Sequence, residues 1–237
     1  MTVVDGHMAH IPAEPDYEPL ALPDRCDYSP ERMQAEADAF YTHIAQRHTV
    51  RHFSDKPVDE GVIRACIRAA GTAPSGANHQ PWHFVCVQDL QVKRQIRTAA
   101  EAEESAFYGG KAGDRWLNHL KKIGTDADKP FLETAPWLIA IFAQPAGPDE
   151  AGHERKNYYV KESVGIATGF LINALHTAGL ATLTHTPNPM KFLNQVLNRP
   201  ASERAFLLLV VGHPADDAVI PKYATQKKAL EEIATFV

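Results

Sequence analysis

Apolar residues recur along this chain at two spacings, roughly every third to fourth position in some stretches and in short continuous runs in others, and the switch between them lays out its elements. Met33, Ala37, Phe40, Tyr41 and Ile44 share one helical face, behind Ser29-Pro30-Glu31, an N-cap with proline at the first helical position. Pro57-Val58-Asp59 opens a second helix striped by Val62, Ile63, Cys66, Ile67 and Ala70, with Gly71 as its C-terminal signal. After the small-residue turn Thr72 to Gln80, the run Trp82 to Gln88 reads as a strand buried on both faces, and Trp137 to Phe142 as another. A helix begins near Val92 with Ile96, Ala99 and Ala100 inward. Residues 145–156 read as a surface loop. Tyr159 to Ala178 is a long helix apolar nearly all round, through Val164, Ile166, Ala167, Phe170, Leu171, Ala174 and Leu175. Such a helix is buried, and in a chain of this size it suggests the heart of a dimer interface. A strand from Gly179 to Thr186, a short helix from Met190 to Leu197, a strand from Phe206 to Val211 and an extended tail complete the pattern.

The helical period fails in residues 101–130, where the chain turns acidic and then carries Gly109, Gly110 and Gly113. Each glycine would cost a continuous helix about 1 kcal/mol. The segment therefore predicts two helical legs with a mobile hinge, a candidate lid. Residues 1–28 are proline-rich and aperiodic and read as an extended N-terminal arm; residues 29–237 read as a single domain. A chain of 237 residues, 44% hydrophobic and 22% charged, suffices for one well-buried core without needing a second. Its formal charge of -5 offers no basic surface for nucleic acid. Cys26, Cys66 and Cys86 lie in no metal-ligand spacing, and an odd count fits reduced thiols. With no basic n-region, no apolar h-region and no run near the roughly 20 apolar residues of a membrane span, the chain reads as soluble and cytoplasmic.

Candidate chemistry gathers at three places. Arg47, His48 and Arg51, with the Ser75-Gly76 turn and its free backbone N–H groups, make a cradle for an anion such as a phosphate monoester; equally, basic residues at a helix C-terminus simply suit its dipole. Thr182, Thr184 and Thr186 alternate, which puts three hydroxyls on one strand face, although β-branched residues also fill strands for their own sake. Glu104 and Tyr108, four apart, share a face of the first lid leg and Lys129 ends the second, where a solvated charged face is the competing reading. No G-x-G-x-x-G after a strand, no P-loop, no H-E-x-x-H and no nucleophile elbow occurs. Ser75 is thus a hydrogen-bond partner and not a nucleophile.

Taken in order, R-x-T-V-R-x-F, T-A-P-S-G-A-N-x-Q-P-W, T-A-P-W-L-I, N-Y-Y-V-x-E-S-V-G-I-A, the threonine strand and K-K-A-L-E-E-I resemble the nitroreductase-type FMN flavoproteins, and more narrowly their iodotyrosine deiodinase branch, from about Phe40 to the C-terminus. The resemblance implies an α+β fold with a mixed sheet sandwiched by helices, in an intertwined homodimer with FMN at its interface. It implies that Arg47, His48, Thr49 and Arg51 meet the FMN phosphate and ring edge, and that Ser75 and Gly76 line the flavin. Thr184, His185 and Thr186 would approach N5, with Thr186 as the N5 donor and Thr184 as the alternative, and Lys227, or its neighbour Lys228, would reach the phosphate. His48 and Lys227 stand where the family often has arginine, which weakens bidentate phosphate recognition. The branch clamps its substrate with a glutamate, a tyrosine four residues on and a lysine twenty-one beyond that, the spacing of Glu104, Tyr108 and Lys129. Glu104 would pair with the ammonium of a halotyrosine, Tyr108 and Lys129 would hold its carboxylate, and the N–H of Ala77 would hold its phenolate oxygen. The implied activity is FMN-dependent reductive dehalogenation of halotyrosines to tyrosine and halide, with electrons from NAD(P)H or a reductase. An NAD(P)H-dependent nitroreductase or quinone reductase of the same fold, and a flavin- or ligand-binding protein without turnover, are the alternatives.

Overall fold

The structure, a computed structural model, describes residues 18–111, 113–149 and 151–237. Two compact units divide the chain, Met1–Phe40 and Tyr41–Val237. The predicted N-terminal arm lies outside the described residues as far as residue 17; residues 18–28 form no helix or strand. Helix α1 (Pro30–Ala45) starts at its proline, and the Ser29 hydroxyl accepts the Arg32 N–H at 3.3 Å. No residue of α1 is buried, and Met33, Phe40 and Tyr41 are exposed.

In the larger unit, Asp59 caps α2 (Glu60–Gly71) by accepting the Gly61 N–H at 2.7 Å. A 3-10 turn (Gly76–Asn78) leads to β1 (Trp82–Val87) and α3 (Leu90–Ala106), whose cap is Asp89 accepting from Val92 N–H. A π-type turn (Phe107–Lys111) follows, then α4 (Asp114–Lys121), α5 (Phe131–Thr134) and β2 (Trp137–Ala143). The predicted surface loop folds into a hairpin of β3 (Ala146–Pro148) and β4 (Glu154–Lys156). Then come α6 (Val160–Thr177), β5 (Ala181–His185), α7 (Phe192–Val196), β6 (Arg204–Gly212), a 3-10 turn (Lys222–Thr225) and α8 (Leu230–Ile233).

The four-stranded sheet has the order β1-β2-β6-β5 with every adjacent pair antiparallel; its parallel element is the bridge of Thr49 to Thr182 beside β5. Strand β2 is central and wholly buried, and its alternation divides the core. Leu138, Ala140 and Phe142 face one layer with Ile96 and Ala100 of α3, Leu132 of α5 and Leu193 of α7. Trp137, Ile139 and Ile141 face the other, with Ile63 and Ala70 of α2 and Val164, Leu171 and Leu175 of α6. Helices on both faces of one sheet make the sandwich that the sequence implied.

Three further expectations change. β1, predicted to be buried on both faces, is an edge strand, so most of it is half-exposed and Cys86 is exposed. Helix α6 is not buried all round: Ile166 and Phe170 lie 42% and 40% exposed on its outer face. The second lid leg ends at Lys121, well short of Lys129, which sits in the turn leading into α5.

Candidate active site

The segment after α1 is strapped to the sheet edge: Val50 N–H donates to Thr182 O at 3.2 Å, alongside the Thr49 bridge. That strap fixes Arg47, His48, Thr49 and Arg51, all half-buried, beside β5. Among the described residues neither Arg47 nor Arg51 has a carboxylate partner. Half-buried guanidinium groups with no counter-charge from the chain are what an anionic ligand would complete.

Arg51 also lines a cavity of about 220 Å³ together with Glu104, Tyr108, Lys129, Thr184 and Thr186. Lys129 is only 2% exposed, and its ammonium donates to Thr125 Oγ1 at 3.1 Å and to the Asp126 carbonyl, with Glu104 Oε2 at 3.5 Å. Tyr108 donates its hydroxyl to Thr125 O at 3.2 Å, and its ring lies 5.8 Å from Lys129 Nζ. Burial pushes the Tyr108 phenol above its ordinary pKa, so it stays a protonated donor at neutral pH. Phe107 stacks edge-on against both Tyr108 and Trp116, which joins the π-type turn to α4 over the cavity. Thr125 and Asp126 were not singled out from the sequence; only the i−4 spacing of a hydroxyl before Lys129 hinted at the first.

His185, which lines the same cavity as Thr184 and Thr186, is 7% exposed, packs edge-on against Phe131 at 5.7 Å, and keeps Nε2 buried without a partner among the described residues. Burial, then the nearby charges of Lys129 and Arg51, push its pKa down to about 3. The ring is neutral across the physiological range.

The Ser75 turn stands elsewhere. It feeds β1, at the sheet edge remote from β5, with β2 and β6 between; three strand spacings amount to about 14 Å. Its N–H groups are mostly occupied: Gly76 N–H donates to Ser163 Oγ at 3.3 Å, Asn78 N–H to Ser75 O, His79 N–H to Gly76 O, and Gln80 N–H to Ser75 Oγ at 2.9 Å. Ala77 N–H is left without an acceptor among the described residues. The close approach expected at this turn is made by the chain itself, since a Cβ on Gly76 would stand 2.8 Å from Tyr158 O. Ala77, Asn78 and Gln80 all take positive φ, of 49°, 55° and 48°. Backbone strain concentrated in one turn is characteristic of ligand-contacting segments. Lys227 is exposed on the tail, with its ammonium on Ala224 O at 2.9 Å.

A larger cavity, about 790 Å³, runs between α2 and β1 and is lined by Ile63, Ile67, Phe84 and Trp137. Its Arg64 is already paired with Glu60 at 2.7 Å, Arg68 and Gln88 also line it, and none of the residues singled out from the sequence as site residues does. The smaller cavity holds the chemistry.

Comparison with known proteins gives a consistent set of likenesses. The family model described as the nitroreductase family matches residues 44–213. The chain is 49% identical over 202 residues to the iodotyrosine deiodinase of Haliscomenobacter hydrossis, covering 85% of this chain and 91% of that protein. It is 40% identical to the iodotyrosine deiodinase of Danio rerio over 237 residues, 100% of this chain and 76% of the relative. Its fold matches the crystal structure of oxidized iodotyrosine deiodinase bound to FMN and 3-iodo-L-tyrosine with a TM-score of 0.70 and 32% identity, covering 83% of this chain and all of that one.

Proposed function

Because this chain belongs to the nitroreductase family, and within it to the iodotyrosine deiodinase branch, we propose that it is an FMN-dependent oxidoreductase that strips halide from halotyrosines to give tyrosine. The observation that carries this reading is the convergence of Glu104, Tyr108 and Lys129 on one cavity with Thr184, Thr186 and Arg51. A nitroaromatic or quinone offers no charges for such a group.

The clamp is charge-neutral before ligand arrives, since Glu104 lies beside Lys129 at 3.5 Å. A ligand bearing only one charge would leave the other member of that pair uncompensated, which is costly with Lys129 at 2% and Glu104 at 15% exposure. A zwitterion satisfies both at once: its ammonium goes to Glu104, its carboxylate to Lys129 and the protonated Tyr108 hydroxyl. Ala77, with its unoccupied N–H, holds the phenolate oxygen. Residues 101–130 act as the lid, closing the aromatic cluster of Phe107 and Trp116 over the substrate and excluding water.

The residues present fit FMN. Arg47, His48, Thr49 and Arg51 would hold its phosphate and ring edge, and the phosphate would complete guanidinium groups that have no carboxylate partner among the described residues; Thr186 would serve N5, with Thr184 as the alternative, and Lys227 would join the phosphate from the tail. When bound and reduced, FMN supplies the two electrons that, with one proton, replace a carbon–halogen by a carbon–hydrogen bond and release halide. NAD(P)H or a separate reductase renews them. Because the Ser75, Gly76 and Ala77 turn and the β5 cradle occupy remote sheet edges, a second copy of the chain brings one to the other, and the bare Ile166 and Phe170 face of α6 supports such a homodimer.

The test is a fluorescence titration of the FMN-loaded protein with 3-iodotyrosine beside 2-iodophenol. Quenching at micromolar iodotyrosine, with the bare phenol at least about a hundredfold weaker, is the expected result. Equal responses to the two would hand the site to a nitroreductase or quinone reductase.

A further inference from the structure

Lys129 belongs to no helix or strand, so something must hold it in register with α3. Its side chain is tied chiefly within its own turn, to Thr125 and Asp126. Its backbone is tied to α3, because Glu101 Oε1 accepts the Lys129 N–H at 2.8 Å. The same oxygen accepts from Arg97 Nε at 2.7 Å. Arg97 then reaches to both sides of Lys129: Nη2 donates to Asp128 Oδ1 at 2.8 Å and Nη1 to Glu133 Oε1 at 3.3 Å. One planar guanidinium thus spans three carboxylates that bracket the lysine.

Its base is rigid, since Ile96 and Ala100 on the same helix are fully buried. Arg97 is 27% exposed and its partners Glu101 and Glu133 each 28%. Exposed ion pairs contribute little to stability. A fixed fork of donors does more for geometry, because each added acceptor removes a direction in which the turn can drift. Arg97 lines neither the cavity nor the phosphate cradle.

We propose that Arg97 is a positioning residue for the substrate clamp: through Glu101, Asp128 and Glu133 it fixes the backbone of Lys129 where the ammonium can meet an amino-acid carboxylate. The inference rests on the halotyrosine reading above. It assigns the ion-pair hub to ligand recognition and separates it from general stability.

The experiment measures dissociation constants of the FMN-loaded protein for 3-iodotyrosine and 2-iodophenol, with hydrogen exchange at the Lys129 amide of the unliganded protein. Arg97→Ala should weaken iodotyrosine at least about tenfold, leave iodophenol and FMN within twofold, and speed exchange at Lys129. Arg97→Lys should fail to restore affinity, because a point charge cannot span three carboxylates. In a Lys129→Ala background the Arg97→Ala loss should fall below twofold, since the residue acts through that lysine. Glu101→Gln, which keeps the acceptor and loses the ion pair, should be intermediate and serves if Arg97→Ala does not fold. Iodotyrosine affinity within twofold of wild type, an equal loss for iodophenol or FMN, or full additivity with Lys129→Ala would each overturn the proposal. If the wild-type protein itself ignores iodotyrosine, the deiodinase reading fails; exchange at Lys129 then decides the positioning role alone, and an unchanged rate refutes it.

Discussion

At the scale of single residues, Glu104 and Lys129 form a buried ion pair that, on the proposed function, a zwitterionic substrate exchanges for two others. Glu104→Gln should lower halotyrosine affinity by about 2 to 3 kcal/mol, roughly 30- to 150-fold, the worth of a hydrogen bond to a charged group. FMN binding should be unaffected in the same titration, and unchanged halotyrosine affinity would remove the clamp. His185 makes a pH-dependent prediction. Its folded pKa of about 3 lies below the ordinary 6.5 of an unfolded histidine. Between those values the unfolded chain binds the extra proton, so stability is complete above about pH 6.5 and falls as pH drops toward 3, by about 1.4 kcal/mol for each pH unit. His185→Gln should flatten that part of the pH profile in urea denaturation; an unaltered slope would mean that the ring is charged in the folded state.

Among the elements, β2 and β1 differ in what they can lose. Ile139 is fully buried between β1 and β6 and faces α2 and α6. Ile139→Ala should cost about 2 to 5 kcal/mol, with a thermal midpoint lower by roughly 5 to 15 °C. Cys86→Ser on the edge strand should stay within about 0.5 kcal/mol. Calorimetry of the pair separates them, and equal losses would mean that β1 is covered. These strands were both legible as continuous apolar runs, yet a run gives length and apolarity without giving strand order, and order alone makes one central and the other an edge. The segment after α3 is similar: the glycines announced a break between α3 and α4, but not the π-type turn that carries Tyr108.

For the whole molecule, the proposed function makes oligomeric state a functional quantity, because the Ala77 turn and the β5 cradle lie at remote sheet edges. Phe170→Glu puts a charge on the outer face of α6 and should shift the protein from dimer to monomer in sedimentation velocity, with FMN lost at the same time. A monomer that retains FMN and halotyrosine affinity would show that one copy is sufficient. The Arg97 hub belongs to this scale as well, for it joins α3, the Lys129 turn and α5 into one body on which ligand affinity depends.

By itself the sequence determined what local chemistry can encode. The cap at Ser29, the helix start at Pro57-Val58-Asp59, apolar stripes, glycine breaks and ordered motifs set the helices, the strands, the α+β class and a family; the family resemblance then put Glu104, Tyr108 and Lys129 forward as a clamp. What only the tertiary structure decided is who stands beside whom. Glu104 already neutralises Lys129, Thr125 and Asp126 bind its ammonium, Glu101 accepts its backbone N–H, and Gly76 yields its space to Tyr158. Apart from Thr125 and Asp126, which lie four and three residues before Lys129 in its own turn, each of these pairs residues whose separation along the chain carries no periodic signal, so the contact exists only once strand order and helix packing have brought the segments together.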